Sequence, residues 1–249
     1  MTRNNIIKFP GKMRLKFVPS RARYYIRCPY FLYLSNMKDI YIPYPQIASR
    51  KGNFFEGVVL DKVSGQAGHE ISRANQVTDI LNADGLYTLS KRVDTEFYAG
   101  ENIGFKVGIL KPDLILSERA GSGFQITVLE IKNCDRLMPY HYLQAYVYKL
   151  TLERFLSQRT GMPVHVEAGM IHLREDFFSK DESEADFGTF REKIAAMNMN
   201  SLVIKNFVNL ESEMQKTLGE IASLQANITE CGTCPGAEKC ERSLWDGLK

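Results

Sequence analysis

A chain of 249 residues, 44% hydrophobic and 24% charged, can bury a sizeable core and lacks the low-hydropathy, high-charge balance of a disordered chain. Its longest apolar runs, such as 58–60, are far too short to span a bilayer, and no apolar signal core follows the first residues, so the expected location is the cytoplasm. The net charge of +3 is unevenly placed: residues 1–38 carry nine basic side chains and no acidic one.

In that first stretch the aromatics Phe9, Phe17, Tyr24, Tyr25, Tyr30, Phe31 and Tyr33 are interleaved with Arg and Lys. Cations bind phosphates and aromatic faces stack on unpaired bases, so the mixture suits single-stranded nucleic acid; a solvated basic face over core aromatics fits equally well. Residues 24–34 read as a short helix around Cys28, and Pro43 and Pro45 mark a loop. Apolar residues at helical spacing predict a helix over 52–63, followed to about Gly85 by polar loop with one short helix. Three strands are expected next: 88–98, 105–116 with Pro112 inside it, and 124–131, the last two joined by a hairpin turn over 117–123. A helix over 140–156, a strand over 164–173, an acidic surface loop over 179–186 and a helix over 202–228 complete a mixed α/β chain. The expected organisation is a basic N-terminal segment (1–50), a core (51–178) and a C-terminal helical part with a cysteine loop (179–249).

Chemistry concentrates on Asp113, in Leu-Lys-Pro-Asp-Leu-Ile-Leu, and on Glu130-Ile131-Lys132. In a strand, residues two apart share a face, so Glu130 and Lys132 project together while Ile131 faces the core. A hairpin brings Asp113 beside them, and two converging carboxylates can hold a divalent cation while the ammonium offsets phosphate charge or acts on a water. The plainer alternative is a Glu130–Lys132 surface ion pair at a strand end. Gln144 and Tyr148, four apart on the next helix, share a face that can reach DNA backbone or the groups around the carboxylates. His141, His165 and His172 read as packing or surface residues. Five cysteines are present: Cys28, Cys134 and the group Cys231, Cys234 and Cys240. The C-x2-C-x5-C spacing suits a metal site whose fourth ligand is Cys28, Cys134 or a non-cysteine group, and thiol spacing alone admits zinc as readily as iron–sulfur.

Taken in order, these motifs resemble a known family. Asp113, Glu130 and Lys132 look like the PD-(D/E)XK nuclease core, and Gln144 to Tyr148 resembles the Q-x3-Y motif of its RecB-like branch. Cys28-Pro-Tyr with Cys231, Cys234 and Cys240 resembles the split four-cysteine iron–sulfur frame of that branch. The resemblance spans roughly residues 24–240 and is closest to the stand-alone CRISPR-associated RecB-like exonucleases. It implies a restriction-endonuclease-like α/β core, a mixed sheet flanked by helices, with a cysteine-stapled module joining the N- and C-terminal parts. It also implies a 4Fe–4S cluster on Cys28, Cys231, Cys234 and Cys240, leaving Cys134 a free thiol. The implied reaction is Mg²⁺- or Mn²⁺-dependent hydrolysis of DNA from single-stranded ends, on Asp113 and Glu130 with Lys132. The family's early-helix ligand, Gly-x3-His or Gly-x3-Glu, has two matches, Gly52 to Glu56 and Gly65 to His69; Glu56 is preferred because its helix is better formed. The implied task is processing spacer precursors with the CRISPR adaptation integrase. A phage or cellular recombination exonuclease would read alike, and a zinc-stapled, non-catalytic DNA-binding adaptor is the rival of another class. Homo-oligomerisation is compatible with all three.

Overall fold

The computed structural model describes residues 13–38, 40, 42, 46–98, 103–179, 186–207, 210–224 and 234–236. Nine strands in two sheets are described: β1 (Met13–Lys16), β2 (Ile71–Ala74), β3 (Gly85–Leu89), β4 (Lys91–Tyr98), β5 (Ile103–Leu110), β6 (Leu114–Ala120), β7 (Gly123–Lys132), β8 (Val164–Leu173) and β9 (Leu202–Asn206). The helices are α1 (Ala22–Arg27), α2 (Pro29–Met37), α3 (Gln46–Ala67), α4 (Pro139–Thr160), α5 (Phe187–Ala196) and α6 (Glu211–Ala222). A six-stranded mixed sheet has the order β2-β3-β6-β7-β8-β9, and a three-stranded sheet has the order β1-β5-β4. The protein is thus mixed α/β, a mixed sheet flanked by helices. Among the described residues no helix is long and apolar enough to cross a membrane.

β7 is the hub, and its alternation sorts the two faces of the large sheet. Phe124, Ile126 and Val128 pack with Tyr148, Leu152 and Leu156 of α4. Leu129 and Ile131 pack on the other face with Phe55 and Val59 of α3 and Phe190 and Ile194 of α5. Both faces are covered, so no residue of β7 is exposed, as expected for a central strand. Each fully buried Leu or Phe here contributes roughly 1.5–3 kcal/mol relative to exposure. α4 forms the crossover between parallel β7 and β8, and Gly161, in the left-handed region at φ 62°, ends it.

Several expected elements divide differently. The strand expected over 88–98 is two strands, β3 in the large sheet and β4 in the small one, changing sheets at Ser90. The strand expected over 105–116 likewise divides into β5 and β6, because Pro112 has no N–H to give a ladder and breaks the pairing. The turn expected over 117–123 shrinks to two residues, with Gly121 in the left-handed region at φ 60° and β6 running on to Ala120. The helix around Cys28 is two helices that meet at Cys28, with Pro29 at the first position of the second. The helix expected over 52–63 is the 22-residue α3. The helix expected over 202–228 begins instead as β9, and its described helical part is α6; residues 225–230 lie outside the described residues. α5 lies where no helix was expected, its N-terminus capped by Asp186, whose carboxylate accepts from the Gly188 and Thr189 N–H groups.

The small sheet, α1, α2 and α6 share one core with Leu143, Tyr146 and Val147 of α4. Phe17, Tyr25, Tyr30 and Phe31 are all buried in it. These rings are therefore core, and base stacking is not open to them; Tyr24 and Tyr33 are half-buried, and Phe9 lies outside the described residues. Of the four cysteines expected to bind a cluster, Cys28 is buried in this core and Cys234 packs against it; Cys231 and Cys240 lie outside the described residues. The loop bearing Cys234 sits so close to α2 that a Cβ on Gly236 would meet Leu34 Cδ2 and Ile40 Cδ1 at 3.1 Å.

Candidate active site

The antiparallel register of β6 and β7 pairs Leu114 with Leu129, which brings Asp113, just before β6, opposite Glu130. Asp113 Oδ2 accepts the Ile131 N–H at 2.8 Å, so the carboxylate replaces a ladder partner where Pro112 has broken the strand. Lys132 Nζ donates to Glu130 Oε2 at 2.6 Å and lies 3.9 Å from Asp113 Oδ2. From α4, Gln144 Nε2 donates to the same Glu130 Oε2 at 2.6 Å. Tyr148, one turn further on along α4, is buried. Asp113, Glu130, Lys132 and Gln144 thus form one connected group, and Tyr148 lies close enough to feel the Glu130 and Asp113 charges.

Glu130 is completely buried, and its second oxygen, Oε1, has no hydrogen-bond partner of normal geometry. The Asp113 backbone N–H acts on the carboxylate only weakly, as the least of the influences upon it. Leaving a buried carboxylate oxygen unsatisfied costs on the order of 1–3 kcal/mol, more when charged, unless something else coordinates it. Burial pushes Glu130 up to about 8, with the Asp113 charge adding to the rise and the Lys132 charge opposing it. Asp113 is raised by burial against the pull of Lys132, the Ile131 N–H and Lys111. Burial alone would lower Lys132, but the charges of Glu130 and Asp113 outweigh it and hold the ammonium above its ordinary value.

The early-helix candidates separate. Glu56, half-buried on α3, is raised by burial and by the Asp113 charge, with Lys111 and Lys132 opposing, so it lies within charge range of the group. His69 is exposed beyond the end of α3, where its carbonyl accepts from the Ser64 hydroxyl. From Glu56 the helix runs on to Ala67, about 16 Å of rise before His69 is reached, so it is not brought to the site. One turn before Glu56, Gly52 has nothing within 4 Å of where a Cβ would stand, which leaves that flank of α3 open.

Three neighbours were not among the expected site residues: Lys111, and His141 and His172, which read as packing or surface residues. Lys111 acts on both Asp113 and Glu56. His141 is pushed down to about 4 by burial and by the charges of Lys132 and His172, and its Nδ1 accepts from the Met138 N–H at 3.1 Å. It is therefore a neutral imidazole with its proton on Nε2. His172 pairs in register with Lys132. His141 lies three residues before Gln144 on the same helix face, a spacing that could have flagged it, whereas the β7–β8 pairing has no local sequence signal. Cys134 is half-buried beyond Lys132, its thiol pushed up to about 11 by burial and the nearby Asp135 charge, which makes it a poor nucleophile.

Among the described residues no group of three or more His, Cys, Asp or Glu side chains is already gathered as a metal site. Glu130 Oε2 is turned instead to Lys132 and Gln144. The donor set still fits a hard divalent cation: an unsatisfied buried Oε1 on Glu130, the Asp113 oxygen that Ile131 does not occupy, and the half-buried Glu56 carboxylate, all oxygen ligands. No known family model matches this sequence, and no curated protein matches it.

Proposed function

We propose that this chain is a metal-dependent DNA nuclease with a restriction-endonuclease-like core of the RecB-like PD-(D/E)XK type, cutting single-stranded DNA from its ends. The observation that carries the reading is the unsatisfied Oε1 of a wholly buried Glu130, beside Asp113 and bridged to Lys132. A buried carboxylate held in this way is costly as a structural ion pair and useful as a ligand.

Glu130, Asp113 and Glu56 would hold Mg²⁺ or Mn²⁺. When bound, the cation supplies Lewis-acid polarisation of the scissile phosphodiester. The chain's own contribution is placement. Gln144 holds the Glu130 carboxylate in one rotamer and is the positioning residue; Tyr148 is buried one turn along the same face of α4. Lys132, kept charged by its two acidic neighbours, orients the attacking water and offsets the charge of the phosphate. Cys28, Cys231, Cys234 and Cys240 would carry a 4Fe–4S cluster; the packing of Cys28 and Cys234 at one core supports this. The implied task is trimming spacer precursors beside the CRISPR adaptation integrase, and a recombination or repair exonuclease would use the same chemistry.

The test is hydrolysis of end-labelled single-stranded DNA with and without Mn²⁺. Activity should require the cation and fall at least about a hundredfold in Glu130→Gln and Lys132→Ala. Undiminished cutting by folded Glu130→Gln protein would overturn the assignment.

A further inference from the structure

Residues paired across neighbouring strands point to the same face, and two register steps lead from Glu130 to a second feature. Glu130 pairs with Met170 on β8, and Met170 pairs with Lys205 on β9. α4 crosses this row. Gln144 bonds Glu130, Ala145 packs with Met170, and the Tyr142 ring lies under Lys205, whose Nζ is 5.6 Å from its centroid and 3.4 Å from its hydroxyl. Two interstrand spacings place Lys205 about 10 Å from Glu130 along the sheet.

Beyond Lys205 a groove of about 540 Å³ opens between the first turns of α4, the end of β9 and the start of α6. That volume lies within the range of small-ligand sites. Tyr142 and Phe207 form its aromatic lining, edge to face with centroids 4.7 Å apart, and Leu210 and Met214 form its floor. Lys205 is the cation among the lining residues, and the acid is Glu213, which is exposed. Both aromatic rings are half-buried, in contrast to the buried rings of the N-terminal segment.

We infer that this groove is the subsite for the nucleotide next to the scissile phosphate of a single strand. The base lies against Tyr142 and Phe207, and Lys205 meets the adjacent phosphate. A half-exposed aromatic pair with one cation, in register with a catalytic carboxylate, is the composition that holds unpaired bases without reading their sequence. A duplex would hide the base face that the groove receives, so the same feature selects single strands. The inference rests on the nuclease reading above.

The experiment is fluorescence anisotropy of a labelled oligothymidylate strand in Ca²⁺ buffer, together with Mn²⁺-dependent cleavage kinetics of the same strand. Phe207→Ala and Lys205→Glu should each weaken binding about tenfold and raise KM in proportion, with little change at saturating strand. Lys205→Ala should lower the slope of affinity against salt by about one counterion. The control is Arg119→Ala, at the far end of the β6–β7 hairpin, which should alter neither. Thermal unfolding checks that each variant is folded. If the wild type binds and cuts the strand and the folded groove variants do so with unchanged Kd and KM, the subsite is overturned and the nuclease stands. A wild type that neither binds nor cuts the strand overturns both.

Discussion

The burial of Glu130 carries an electrostatic cost, and that cost can be measured. Its folded value of about 8 stands well above the ordinary 4.5, so between those values the unfolded chain has released its proton while the native chain keeps it. The native state then binds more protons, and stability falls as pH rises through that window. In chelator, the unfolding free energy should drop by about 1 kcal/mol or more from pH 5 to pH 8. Glu130→Gln should flatten the slope and be the more stable protein at pH 8. Proton and cation compete for the same carboxylate, so at limiting Mn²⁺ the cleavage rate should rise with pH up to about 8. Chemical denaturation at the two pH values and a pH–rate profile check both expectations. At this scale much was legible, because Asp113, Glu130 and Lys132 follow from the two-residue period of a strand and a hairpin. The Gln144–Glu130 bond follows only once α4 is known to cross β7. The roles of His141 and Lys111 depend on burial and charge proximity that no spacing encodes.

Among the elements, α3 separates two motifs, of which the sequence favoured Glu56 and kept His69 as the alternative. The 22-residue helix, longer than its apolar periodicity suggested, holds Glu56 toward Asp113 and carries Gly65 and His69 away to its exposed end. Glu56→Ala should therefore lower cleavage at least about tenfold, while His69→Ala should stay within about twofold of the wild type; initial rates on one labelled strand, in Mn²⁺, test the pair. The reverse pattern would reassign the ligand. Helices and strands with strong periodicity, α4, β7 and β8, lie where the sequence predicts them. The failures occur where the chain changes partners: Ser90 and Pro112 move it between sheets without interrupting the apolar pattern, so each crossing read as one long strand. β9 was missed because five residues on a sheet edge, the last three of them exposed, resemble the flank of the helix that follows.

Across the whole molecule, the two ends of the described chain meet. Cys28, at the α1–α2 junction, and the Cys234 loop belong to one core, to which α4 and α6 also contribute. A cluster on Cys28, Cys231, Cys234 and Cys240 would close a covalent loop around nearly the entire chain, and its binding energy would be folding energy. Anaerobically purified protein should be brown, with iron and sulfide and little zinc, because zinc's filled d shell gives no visible charge-transfer band. Alanine at any of the four positions should bleach it and lower the unfolding temperature together with the colour. Cys134→Ala, beside Lys132, should leave the spectrum intact. A colourless protein with one zinc per chain would replace the cluster and leave the nuclease reading standing.

The two-residue turn at Gly121 also sets an order of events as the chain folds. β6 and β7 are joined locally, so they can zip in about microseconds, whereas β8 must return over the whole of α4 before it can pair. On that order Asp113 and Glu130 would meet while both are still hydrated, and the closing of α4 onto the sheet would be the step that strips their water. The acidic pair is drawn together when it is cheap to do so and sealed only afterwards. A cation present at that moment would enter the site with the folding chain instead of forcing its way into a finished core.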